Sequence, residues 1–352
     1  MRLSKRYIRE QLYNVKIVGI RCFLNDKYLL ARSRKQHKLR GSSVQILGDP
    51  NPCMRMLYVH SGWAIYNVGV QWFSSILGLQ CTFVEVGEFL QHPELEMECD
   101  IVFFGYSYLF ELSKGLNLSK PIWVAVHDPN ELYPEVPHWK SLPPYPGVIA
   151  LLKQVALVIT ASNEIETHLA RAGIQSCVIP TCSMLAPRSV EEIKNRPGSL
   201  RVITAGRIYK RKNYELFKEI EKIVKRRSGR TFSFSARWNY TPLPEVEYMK
   251  RLDACEIYLV TSYQEGGPIP AMDAMLRGAL VLSTPVGQMP ELIQGGYNGY
   301  ICRNLDEFVQ RLEELKNDPS LLLTMRRNAS QYIQVARSRK VIVAAVQRAL
   351  AA

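Results

Sequence analysis

The 352-residue chain has no apolar run of eighteen or more residues, so no transmembrane helix is expected. It has no Cys-x-x-Cys pair. Its cysteines stand apart at Cys22, Cys53, Cys81, Cys99, Cys177, Cys182, Cys255 and Cys302, which signals neither a zinc site nor a thioredoxin-like motif. Cys81, Cys177, Cys255 and Cys302 sit in apolar runs and read as reduced core thiols of a cytosolic protein. No Asp-x-Asp occurs and the acids are not spaced as a metal cluster, so the usual carboxylate clamp for a divalent ion on a diphosphate is missing. No metal and no cofactor is therefore expected. The N-terminus lacks the apolar core of a signal peptide, which leads to a cytoplasmic expectation, with or without attachment to the inner face of a membrane. There is no repeat of fixed period and no low-complexity segment.

What is present is the composition of a globular protein, 47% apolar and 22% charged, with length for two cores. The net charge is +13, but it is unevenly spread. Residues 1–40 hold twelve Lys and Arg against Glu10 and Asp26, a surplus of ten, so the other residues carry about +3.

From residue 54 onward, short apolar runs alternate with helical patterns. Strands are expected at 54–60, 82–86, 100–106, 121–127, 155–161 and 177–180, with helices at 68–77 and 163–172. Residues 186–199, with Pro187 and Pro197 among charges, read as a linker. The pattern then restarts, with strands at 200–205, 232–236, 256–261 and 280–283. Helices are expected at 213–227, 270–277, 306–317, 319–336 and 339–351. Continuous apolar strands alternating with helices indicate α/β units with parallel sheets covered on both faces. The expected division is a basic N-terminal extension (1–50), a first Rossmann-like domain (51–190), a second (191–336) and a terminal helix (337–352). Residues 15–31 are expected to form a hairpin. Two such halves imply a cleft, with ligands beyond the carboxyl ends of the strands.

Two constellations in the second half carry chemistry. In the first, Glu265-Gly266-Gly267-Pro268-Ile269-Pro270-Ala271-Met272-Asp273 follows a strand and opens a helix. The glycines allow close backbone approach to a ligand, the helix start offers N–H groups to a phosphate, and Pro270 fits the first turn. In the second, Gly206-Arg207 and Lys212-Asn213 follow the strand at 200–205. This places two cations at the carboxyl edge of the same sheet, a guanidinium fork and a point charge suited to a pyrophosphate. Competing readings are that Glu265 and Asp273 merely serve a helix dipole, and that residues 207–212 form a solvated loop.

At these residues the chain resembles family 4 of the glycosyltransferases, whose donor signature is two glutamates with seven residues between them. The likeness is clear over residues 200–305 and weaker over 54–180, where it consists of strand order and His127-Asp128. It implies a GT-B fold, with two facing Rossmann-like domains and an interdomain cleft, and a terminal helix that crosses back to the first domain. It also implies transfer of a sugar from a nucleotide-sugar donor with retention, by a same-face mechanism in which the leaving phosphate helps deprotonate the acceptor. Arg207 and Lys212 are then expected to hold the pyrophosphate, and Glu265 the donor sugar. Asp273, one methylene shorter than the family's glutamate, takes the ribose. Gly206, Gly266, Gly267 and Pro268 complete the donor site, bordered by Gly287, Gln288 and Glu291. His127 faces the reacting sugar. On the acceptor side stand Gly62 and Trp63, in a loop that reads His60-Ser61-Gly62-Trp63 where the family has adjacent glycines; Trp63 reads equally as core. The acceptor expected is a glycan or a lipid-linked saccharide. The alternatives are modified bases in DNA, or a non-catalytic nucleotide-sugar-binding subunit.

The basic segment interleaves Tyr7, Tyr13, Phe23 and Tyr28 with its cations. It suits an anionic membrane surface, at roughly 1 kcal/mol per basic residue, and also a nucleic-acid backbone with aromatics stacking on bases. A chain starting at Ser42 is expected to keep donor binding but lose most of its affinity for anionic vesicles at low salt. Equal sedimentation of both forms contradicts the membrane role, and a shift of duplex DNA by a full-length chain that ignores vesicles replaces it.

Overall fold

The structure is a computed structural model. It describes residues 44–61, 63–74, 76–133, 136–196, 198–206, 209–228, 231–238 and 244–351. The basic segment 1–40, the hairpin expected at 15–31, Gly62, Arg207 and the side chain of Trp63 lie outside that description. Contacts divide the chain into two units: one runs to Ile179 and takes in the residues from Ile342, and the other is Pro180–Val341.

The first unit is built on strands β1 (Gln45–Gly48), β2 (Met54–His60), β3 (Leu79–Glu85), β4 (Ile101–Phe104), β5 (Ile122–Val126), β6 (Leu157–Thr160) and β7 (Ser176–Val178). They form one sheet in the order β1-β3-β2-β4-β5-β6-β7. All pairs are parallel except β1 with β3. All four residues of β4 are buried, the mark of a strand covered on both faces. Tyr58 of β2 stacks on Phe103 of β4 at 5.0 Å and 12°, and Phe73 and Phe83 pack against the same ring.

β1 corrects the expectation that everything before residue 51 stands outside the domains. Its four residues are mostly exposed and show no alternation, so no periodic signal announced them. The strand is held by register with β3 and by Asp49, whose carboxylate accepts from the Gly78 N–H at 3.0 Å. The first helix also begins earlier than expected, at Trp63–Phe73. Helices Ser107–Ser113, Pro146–Leu152 and Glu245–Asp253 were not foreseen.

The second unit has a parallel sheet of β8 (Leu200–Gly206), β9 (Phe232–Trp238), β10 (Ile257–Val260), β11 (Leu280–Ser283) and β12 (Gly299–Ile301), ordered β12-β11-β10-β8-β9. Its strands feed two cores by strict alternation. Ile257, Leu259, Leu280 and Leu282 join Phe217, Phe308 and Leu312, from helices Tyr214–Ser228 and Leu305–Asn317. Tyr258, Val260 and Val281 point to the opposite cluster, with Met272 and Met275 of helix Ile269–Leu276 and Ile333 of helix Pro319–Ala336. Successive side chains of a strand face opposite ways, so these short runs can be apolar throughout only if both faces are covered. Among the described residues no helix is long and apolar enough to cross a membrane.

The segment read as a linker does not hang free. Ile193 within it is fully buried, and the Arg188 N–H donates to Leu276 O at 3.1 Å. Arg277 donates to Ala186 O at 2.8 Å. Arg326, only 1% exposed, binds Gly278 O at 2.7 Å, Lys194 O at 3.0 Å, Asn195 Oδ1 at 3.1 Å and Cys255 O at 3.4 Å. Arg326→Met strands those buried acceptors while nearly keeping the volume. It is expected to cost about 3 kcal/mol, read as a lowered urea midpoint. An unchanged midpoint contradicts this account of the segment.

Candidate functional site

β8 and β10 are parallel neighbours, so their carboxyl ends share one edge of the sheet. After β8 the chain makes a tight turn at Lys210–Lys212 and enters helix Tyr214–Ser228 through Asn213. Asn213 has φ +49°, a left-handed conformation that asparagine tolerates better than most residues. After β10 come residues 261–268. The two loops are laced by their backbones: the Tyr263 N–H donates to Arg211 O at 3.0 Å, and Thr261 Oγ1 donates to Lys212 O at 3.1 Å.

That lacing brings side chains together around Glu265. Lys212 Nζ lies 2.5 Å from Glu265 Oε1, and Ser262 Oγ donates to the same oxygen at 2.6 Å. Arg211 Nη1 lies 3.3 Å from Oε2. The Glu265 side chain is 6% exposed, so the charges interact through protein rather than bulk water. Two cations thus face one carboxylate. A cavity of about 20 Å³ beside them is lined by Lys212, Ser262, Glu265 and Pro268, enough for one water. Sequence reasoning put Glu265 and Lys212 at one sheet edge, where the structure brings them into contact, but passed over Arg211 and Ser262. Arg211 stood in the same basic run, which was the available signal.

The helix start differs from the expectation. Ile269 N–H donates to Gly267 O at 2.8 Å and Ala271 N–H to Pro268 O at 2.8 Å, while Pro270 has no N–H. These three positions therefore offer a phosphate no free donor. The glycines also have a different reason to be there. A Cβ on Gly267 would lie 2.1 Å from Thr181 Oγ1 and 2.6 Å from Gln288 Nε2, so protein atoms fill the space of the missing side chain. Gly206 closes β8, opposite Trp238 of β9.

Asp273 is 6% exposed, and both its oxygens are engaged. Ser183 Oγ donates to Oδ1 at 2.5 Å and Tyr248 hydroxyl to Oδ2 at 2.9 Å. Burial pushes its carboxyl up to about 6, opposed by these two hydrogen bonds. The ribose role expected for Asp273 must share this carboxylate with two protein hydroxyls.

His127 follows β5 in the first unit and is 6% exposed. Its ring stacks on Trp72 at 5.1 Å and meets the Tyr106 edge at 5.2 Å. Its Nε2 is buried with no hydrogen-bond partner among the described residues. Burial pushes the imidazole down to about 4, so it is neutral at physiological pH. Tyr106 in turn stacks on Tyr108 at 5.2 Å, and the Tyr108 hydroxyl contacts Ser61 Oγ. Glu131, which the sequence reading missed, holds this edge together. Its carboxylate accepts from the N–H groups of His127 (2.7 Å), Asp128 (3.2 Å) and Ser107 (3.0 Å), and from Ser107 Oγ (2.6 Å). The detectable signal was the capping-box spacing of Asp128 and Glu131 around Pro129.

Residues 240–332, which include Glu265 and Asp273, match the family model of glycosyl transferases group 1. No curated protein sequence matches the chain. Among solved structures, Anabaena HepE in complex with UDP-glucose aligns with a TM-score of 0.60 at 15% identity, covering 85% of this chain and 99% of that one. Sucrose-phosphate synthase from Thermosynechococcus elongatus aligns with a TM-score of 0.60 at 13% identity, covering 84% and 98%. S. aureus TarM, in complex with fondaparinux, alpha-GlcNAc-glycerol and UDP, aligns with a TM-score of 0.59 at 14% identity over 70% of this chain, which spans about half (54%) of TarM. These likenesses show the fold, that of the GT-B glycosyltransferases with two Rossmann-like α/β units.

The neutral His127 has a measurable consequence. Between about pH 6.5 and pH 4 the unfolded chain binds a proton that the folded imidazole refuses, so this residue removes stability as the pH falls through that window. His127→Phe is expected to lose about 2 kcal/mol less than wild type between pH 7 and pH 5, measured by urea unfolding at each pH. Parallel losses in the two proteins contradict a neutral buried histidine.

Proposed function

We propose that the chain is a retaining glycosyltransferase that takes a sugar from a nucleotide-sugar donor, with a uridine diphosphate sugar as the first candidate. The observation that carries this reading is the cluster of buried Glu265 with half-buried Lys212 and Arg211 at the carboxyl edge of the second sheet. Glu265 falls within the segment that matches group 1 glycosyl transferases. The uridine nucleotide is suggested by HepE and TarM, which are recorded with UDP-glucose and with UDP.

In this reading Lys212 and Arg211 beside Glu265 receive the diphosphate. Lys212, with Arg207 five residues earlier in sequence, stabilises the charge that develops on the leaving group. Such preorganised electrostatics replaces a metal ion, so turnover needs no divalent cation. Glu265, freed from part of its ion pairing when phosphate takes up Lys212, hydrogen-bonds the donor sugar. Asp273 and Tyr248 lie toward the nucleoside. The acceptor is a glycan or lipid-linked saccharide, and its hydroxyl loses its proton to the leaving phosphate on the same face of the sugar.

Lys212→Ala is expected to lower turnover of UDP-glucose by two to three orders of magnitude, roughly the scale for removing one transition-state donor. Near wild-type rates in a folded variant contradict the donor-site assignment. Glu265→Gln is expected to damage sugar transfer far more than it weakens UDP binding measured by calorimetry. Equal losses in both move Glu265 to the nucleotide end. A chain that binds UDP-glucose but neither transfers nor hydrolyses the sugar is a binding subunit instead.

A further inference from the structure

Gln288 stands where three segments meet. Its side chain is fully buried, and every polar group it has is used. Nε2 donates to Thr181 Oγ1 at 2.8 Å, and Oε1 accepts from Arg337 Nε at 2.9 Å. Its backbone N–H donates to Gly266 O at 3.0 Å, and its carbonyl accepts from the Glu291 N–H at 3.1 Å. Arg337 is held further by Glu291 at 3.4 Å and by Ala336 O at 3.0 Å.

The positions of these partners in the chain matter. The chain passes from the first unit to the second at Ile179–Pro180 and returns at Val341–Ile342. Thr181 belongs to the outgoing crossing and Arg337 precedes the return. One side chain therefore ties both crossing segments to each other, and its own backbone ties them to the glycine turn. The fit is tight. Gly287 has φ +52°, and a Cβ there would lie 2.2 Å from Gly266 O. Gly267 leaves its side-chain space to Thr181 and Gln288. A planar amide with a donor at one end and an acceptor at the other cannot turn without stranding buried partners.

We propose that Gln288 is a positioning residue that sets the glycine turn 265–267 by locking it to both crossing segments. The geometry of the donor loop then depends on the state of the crossings, and a displacement at either one is felt at Gly266. Gln288 touches no substrate in this scheme, because its polar groups are taken by Thr181, Arg337, Gly266 and Glu291. The consequence for turnover rests on the reading that this turn holds a sugar donor. The lock itself does not.

The test is hydrogen exchange of the full chain, comparing wild type with Gln288→Met, which nearly keeps the volume and removes both side-chain bonds. Exchange is expected to rise together, by roughly tenfold, in segments 181–185, 265–269 and 336–341, while helix Leu305–Asn317 stays unchanged. A rise confined to 286–290 overturns the lock. If Gln288→Met does not fold, Thr181→Val carries the test: faster exchange at 265–269 supports the lock, and unchanged exchange there overturns it. In the second arm, Gln288→Met is expected to lower kcat for UDP-glucose about tenfold while leaving the Kd for UDP within about threefold. The exchange pattern with unchanged kcat overturns positioning. A wild-type chain that neither binds nor turns over UDP-glucose puts the proposed donor at fault, and the exchange result still decides the lock.

Discussion

The pairing of Glu265 with Lys212 and Arg211 is the constraint on which the carboxyl edge of the second sheet depends. Taking a carboxylate and two cations out of water costs several kcal/mol per ion, and close geometry with further hydrogen bonds has to offset it. Ser262 supplies one of those bonds, and the backbone lacing of residues 211–212 to 261–263 holds the loops at the required separation. Ion pairs of this kind contribute little net stability.

The rest of the second unit serves to hold that edge. Alternating residues of β10 and β11 feed two apolar clusters, so the strand ends cannot slide without moving both cores. On one side the glycine turn is pressed against Thr181, Gly287 and Gln288, at contacts that admit no Cβ on Gly267 or Gly287. Farther from the site, the guanidiniums of Arg277 and Arg326 bind carbonyls of residues 186 and 194 and fix the segment that leads into β8.

The first unit solves a related problem with fewer charges. Its β5 ends in a neutral histidine packed on Trp72, next to a carboxylate that collects three backbone N–H groups and a hydroxyl. Glu131 thereby joins the end of β5 to the start of helix Ser107–Ser113, and positions His127 through its backbone rather than through its ring. Tyr106 and Tyr108 supply partly exposed aromatic surface beside it.

By itself the sequence determined what depends on near neighbours in the chain. The alternation of apolar runs with helical periods announced both sheets, helices 319–336 and 339–351 fell on their observed bounds, and the glycine-proline turn fell where expected, between β10 and helix Ile269–Leu276. The placing of Glu265 and Lys212 beyond neighbouring strand ends was legible because turn chemistry and charge at strand ends are local signals. β1 was not, since a short exposed edge strand has no periodicity and is held by its partner's register. Nor were the roles of Arg211, Ser262, Glu131 and Gln288. Lys212 meets Glu265 and Gln288 meets Thr181 across long loops, and which side chains converge there is set by the parallel register of β8, β10 and β11. Tertiary structure alone decided that Asp273 is engaged by Ser183 and Tyr248, and that Gly267 gives its space to protein rather than to ligand. The physical reason is that a hydrogen bond or a steric contact has a range of a few ångströms, whereas sequence patterns report periodicity along the chain and not which distant atoms packing brings within that range.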